Sequence, residues 1–86
     1  MNNTNFTDYL NYNFLNNLLR QNYGKNVKIY TSIEDNKEFE GIIELVGDNY
    51  IVISNPDNEK WCLIFLTKIN YIKFLEKMNI NTNFYS

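Results

Sequence analysis

The chain has 86 residues, with 8 Lys and Arg against 10 Asp and Glu, for a net charge of -2. That length allows one domain and not two, and a pI near 4.9 argues against the basic face of a nucleic-acid binder. There is no histidine, so the commonest general base and metal ligand are both missing, and the single cysteine rules out an internal disulfide.

A disordered lead is expected over residues 1–6, and residues 1–8 are polar and lack a basic start followed by an apolar stretch, so no signal peptide is expected. Thr7 can cap a helix, and Asp8 suits the positive end of its dipole. Leu10, Phe14, Leu15, Leu18 and Leu19 then recur at helical spacing, with Asn11, Asn13, Asn16 and Asn17 mostly on the other face. Gly24 is suited to end the helix in a left-handed conformation, which places it at about residues 7–22.

After Gly24 the apolar period becomes two. Val27, Ile29, Thr31 and Ile33 mark a first strand, and residues 34–37 a charged turn. Phe39, Gly41, Ile43 and Leu45 mark a second strand, where Gly41 suggests a bulge or sharp bend. Gly47, Asp48 and Asn49 form a hairpin turn before a third strand at 50–54. Residues 55–58 (Asn-Pro-Asp-Asn) are a further turn. A fourth strand at 60–66, a short corner at 67–68 and a fifth strand at 69–74 follow. Residues 75–86 are loosely patterned and suggest a mobile tail.

One helix and five short strands with tight turns predict a mainly β (α+β) domain over residues 7–74. The expected form is an N-terminal helix on a five-stranded, strongly bent small barrel of the Sm-like or SH3-like kind. Leu15, Leu18 and Leu19 would close its core.

The chemistry available is modest. Cys62 lies mid-strand with no imidazole to activate it, which marks a structural thiol and no catalytic residue. Glu34, Asp35, Glu38 and Glu40 fit no calcium loop and are expected to be solvated turn charge, so no metal or cofactor site is expected. Arg20, Lys25 and Lys28 cluster near the helix end, and with the fold order they leave an Sm-like RNA-binding module as the alternative function. No apolar run reaches the roughly 20 residues of a membrane span. Trp61 suits the core or a half-buried interface. The stretch 62–66 is uncharged and apolar on both faces, so one face must meet the helix, the tail or a second subunit. Trp61, Cys62, Ile64 and Leu66 are therefore the candidate interface of a homo-oligomer or self-assembling scaffold.

Three blocks of sequence carry a resemblance. The first is Leu18 through Lys25, with Arg20, Asn22 and Gly24. The second runs from Phe39, Gly41, Ile43 and Glu44 through Gly47, Asp48, Ile51, Ile53, Ser54 and Pro56. The third comprises Lys60, Trp61, Leu63 and Ile64, then Tyr71, Ile72 and Phe74. In this order and spacing the chain resembles the spore coat protein GerQ family of endospore-forming bacteria over about residues 12–74. The resemblance implies a non-enzymatic protein of the spore coat; with no signal peptide expected, it would be made in the cytoplasm. It further implies an adaptor that places or retains a cortex-lytic cell-wall hydrolase for germination, and a substrate of a transglutaminase that joins Gln to Lys. Members often carry a long Gln- and Lys-rich N-terminal extension, whereas here no lysine precedes Lys25. Asn49 and Asn55 stand where histidine and aspartate are common. Gln21 is the only glutamine, and Lys37 in the charged turn and Lys77 in the tail are the candidate cross-linking lysines.

Overall fold

The computed structural model describes residues 5–80, with side chains from residue 13 onward. The helix α1 spans Asn5–Gln21. Thr7, the expected start, falls within the described helix, two residues after Asn5. Residues 1–4, the rest of the expected disordered lead, lie outside the described residues. At the other end Gly24 adopts φ +86, and nothing lies within 4 Å of the place a Cβ would take. Its N–H donates to the Ile43 carbonyl at 2.9 Å, and the Ile43 N–H donates to the Lys25 carbonyl at 3.0 Å. The helix stop thus passes directly into strand pairing.

Five antiparallel strands follow: β1 (Asn26–Thr31), β2 (Glu38–Val46), β3 (Tyr50–Asn55), β4 (Lys60–Phe65) and β5 (Ile69–Phe74). They form one sheet in the order β4-β3-β2-β1-β5. The expected corner is a single 3-10 turn, Leu66–Lys68. That turn swings the chain from one end of the sheet to the other, where the Lys68 carbonyl accepts from the Ser32 N–H at 2.9 Å. No ladder joins β4 to β5 among the described residues. The mainly β fold, one helix and then five antiparallel strands, is as expected; the sheet is not closed, so the barrel description holds only loosely.

The register irregularity of β2 also differs from expectation, because it lies between Ile43 and Leu45, not at Gly41. A second one lies between Tyr30 and Thr31 in the β1–β5 pairing. Gly41 has a different role, because a Cβ there would lie 2.9 Å from the Ser54 carbonyl carbon and nearer still to its oxygen. Only glycine lets the β2 and β3 backbones approach this closely.

The core is aliphatic: Leu19, Val27, Ile29, Ile43, Ile51, Ile53, Ile64 and Leu66 are all buried. Leu19 is the helix residue that seals it, while Leu15 and Leu18 are only half-buried. The reason is where α1 rests. The Asn16 Nδ2 donates to the Asp48 carbonyl at 2.6 Å, and Arg20 reaches the Asp48 carboxylate at 3.5 Å. These contacts hold the helix over the β2–β3 turn and away from β5.

The β1–β2 turn places three consecutive non-glycine residues, Glu34, Asp35 and Asn36, at positive φ. Asp and Asn tolerate that region best. The turn is held by Thr31, whose buried hydroxyl donates to the Lys37 carbonyl at 2.7 Å and accepts from the Ile33 N–H at 3.1 Å.

After β5, in the segment of the expected tail, hydrogen bonds are made as far as Asn79; residues 81–86 lie outside the described residues. The Leu75 N–H donates to the Asn26 carbonyl at 3.0 Å, and the Glu76 carboxylate accepts from the Asn26 N–H at 2.8 Å. Asn22, fully buried, grips Asn79 twice. Its Nδ2 donates to the Asn79 carbonyl at 2.9 Å, and its Oδ1 accepts from the Asn79 N–H at 2.7 Å.

Candidate functional site

The open sheet leaves two apolar surfaces uncovered, one on each side. The first is a groove of about 480 Å³ between α1 and β5. On β5 the residues that pair with core positions of β1 are Ile69, Ile72 and Phe74, opposite Thr31, Ile29 and Val27. All three remain half-buried, because α1 leans towards β2 and does not cover them. Leu15 and Leu18 form the facing wall, and Met78, brought back by the Asn22–Asn79 pairing, stands at one side. The groove exists because one helix is too narrow to cover five strands.

The second surface is the outer face of β2, β3 and β4. Leu45 pairs with Val52, and Val52 with Leu63, so these three form a row across the strands. Trp61 and Phe65 flank Leu63 on β4. Trp61 is 65% exposed, Leu63 55%, Phe65 52% and Leu45 52%. The expected interface on β4 is therefore split by the pleat. Trp61 is exposed, but Ile64 and Leu66 are core residues and Cys62 is a half-buried free thiol on the inner side. Leu63 and Phe65, absent from the expected interface, share the outer face with Trp61. The available signal was the period-two match of Trp61, Leu63 and Phe65 to Tyr50 and Val52 across the hairpin.

The rest of the outer face is mixed in charge. The Lys28 ammonium lies 3.2 Å from the Glu38 carboxylate, and hydrogen bonding and attraction to Glu38 raise its pKa. Tyr30 and Tyr71 stack with ring centroids 4.3 Å apart, and a hydrogen bond with Tyr30 raises the pKa of the Tyr71 hydroxyl. The three basic residues near the helix end do not form one patch. Arg20 turns to Asp48, Lys28 to Glu38, and the Lys25 ammonium to the Lys77 carbonyl. Among the described residues no group of three or more Cys, Asp or Glu is placed to hold a metal ion.

Of the candidate cross-linking residues, Lys37 and Gln21 line neither surface, and Lys77 directly precedes Met78 at the side of the groove. The Lys37 side chain is 53% exposed and 3.8 Å from Glu34, and Lys77 is exposed beside the Asn22–Asn79 pair. Gln21 is half-buried at the end of α1.

Comparison with known proteins bears on the whole of this architecture. The family model described as spore coat protein (Spore_GerQ) matches residues 10–80. Spore coat protein GerQ of Bacillus subtilis (strain 168) is 36% identical over 70 residues, which is 76% of this chain and 39% of the relative. The chain thus spans about two fifths of the length of the curated relative it matches.

Proposed function

The chain belongs to the GerQ family of spore coat proteins, and from that premise we propose that it is a non-enzymatic adaptor of the coat, which places or retains a cortex-lytic cell-wall hydrolase for germination. The observation that carries this reading is the extent of the similarity. It covers residues 10–80, which include most of the helix and all five strands, so the folded domain itself is the shared part. An adaptor needs a surface and no reacting groups, and the groove between α1 and β5 supplies one. Its apolar walls and half-exposed Ile69, Ile72 and Phe74 suit an apolar segment of the hydrolase.

The test is capture from sporulating cells by the tagged chain and by its Met78→Lys variant, which sets a charge at the side of the groove. The wild type should recover a cell-wall hydrolase, and the variant should recover at least tenfold less. Recovery of RNA in place of a hydrolase would return the Sm-like alternative. A hydrolase captured equally by both proteins would move the seat away from the groove.

Transglutaminase linkage to other coat proteins is part of the same proposal, through Lys37 and Lys77 as amine donors. Both are exposed, and the enzyme must reach an extended side chain. Incubation with transglutaminase and a glutamine-bearing peptide should label these two lysines first by mass spectrometry. Labelling of no lysine would leave the adaptor role alone.

A further inference from the structure

From the outer face of β2, β3 and β4 we infer that the protein is an isologous dimer, in which this face of one copy stacks on the same face of a second. The inference goes beyond the adaptor reading and uses a different surface, so either can fail without the other.

The strip at the centre of this face is apolar, bordered on β2 by the Glu44 carboxylate, which accepts a hydrogen bond from the Ser54 hydroxyl. A sheet apolar on both sides must be covered on both sides, and here the inner side is the core while the outer side carries Leu45, Val52, Trp61, Leu63 and Phe65. None of these five is charged, and four are more than half exposed. Aromatic side chains bury roughly 150–250 Å² each. At the observed exposures Trp61 and Phe65 together present roughly 250 Å², and the two leucines bring the patch to roughly 400 Å². That is the range in which a monomer's largest patch is commonly functional. Two such patches face to face remove roughly 800 Å², and the half-exposed Ile42, Tyr50 and Val52 take the total to about 1,000 Å², the threshold of a specific interface.

The register of the strands indicates how a second copy fits. The row Leu45–Val52–Leu63 runs across the strands with Val52 at its centre. A two-fold axis over Val52, parallel to β3, sets Leu63 of each copy against Leu45 of the other. The same axis brings Trp61 over Ile42, which shares its row through Ser54. The patch is then self-complementary, as an isologous interface requires. The two sheets lie about 10 Å apart, as stacked sheets do.

Trp61 is the only tryptophan in the chain and reports on this face directly. Light scattering over a concentration series should show a monomer–dimer equilibrium. Over the same range Trp61 emission should shift to the blue and lose quenching by acrylamide. Leu45→Lys and Leu63→Lys place like charges in an apolar contact and should each weaken the dimer about a hundredfold, with Trp61 remaining quenchable. Both positions are exposed, so the far-UV spectrum and the monomer melting temperature should hold. Four outcomes would overturn the inference: a monomer at about 1 mM, an assembly in which Trp61 stays fully quenchable, a dimer indifferent to Leu63→Lys, or a Trp61 shielded at every concentration. The last would mean that the chain covers its own face.

Discussion

Gly41→Ala is the sharpest test of the fold, because its cost can be worked from one contact. The added Cβ would sit 2.9 Å from the Ser54 carbonyl carbon and nearer still to its oxygen. Neither atom can move alone, since Ser54 belongs to the β3 backbone and is paired with Ile42 on one side and Trp61 on the other. The strands must separate where Ile43 and Ile53 carry the core. Overpacking of this kind costs about 3 kcal/mol. The domain's total stability is roughly 4–13 kcal/mol at its length, so the loss is a large share. Thermal unfolding followed by far-UV circular dichroism should fall by about 12–24 °C. Gly24 provides the contrast. It has positive φ but no neighbour within 4 Å, so Gly24→Asn should be tolerated while Gly41→Asn should not. A Gly41→Ala protein melting within about 2 °C of wild type would refute the close approach of β2 and β3.

The remaining predictions concern the helix and the returning segment. Leu19→Ala should cost about 2–5 kcal/mol, as a buried large-to-small change does, and Leu18→Ala about half as much; equal losses in denaturant titrations would contradict the tilt of α1 towards β2. Asn22→Ala removes both bonds to Asn79 and the bond from its Nδ2 to the Leu18 carbonyl at 2.8 Å. It should cost about 2–3 kcal/mol and speed amide exchange at Asn79, and unchanged exchange would show that the segment is held elsewhere. The Glu76 carboxyl is held below its ordinary pKa by the Asn26 N–H. Its contribution to stability is therefore present above the unfolded value and lost as pH falls through the folded value. Glu76→Gln should lower the melting temperature at neutral pH and converge with wild type in acid; a difference that grew in acid would contradict the assignment.

Much of this was legible from residue order. The switch of apolar period from helical to alternating at Gly24 marked α1 and β1, and the turns at Gly47–Asn49 and Asn55–Asn58 placed β3 and β4 correctly. The corner at residues 67–68 was legible from the break between two apolar strand runs. Closure was not, because whether two edges meet depends on the bend of the whole sheet and not on any residue in β4 or β5. The residues of the candidate interface fall on both faces of β4 for a related reason. A strand apolar on both faces does not declare which side is core, and only its pairing with Ile51 and Ile53 sends Ile64 inward and Trp61, Leu63 and Phe65 outward. The anchoring of Asn79 was hidden because Asn22 looks like any polar residue at a helix end. Its burial depends on a partner 57 positions away.

The adaptor role is tested most directly in spores. Coat fractions from a strain lacking this protein should be compared with fractions from strains carrying wild type or the Met78→Lys variant, with cortex-lytic hydrolase measured in each. Hydrolase should be retained with wild type, lost in the deletion strain and reduced at least tenfold with the groove variant. Full retention of the hydrolase in the deletion strain would contradict the adaptor role.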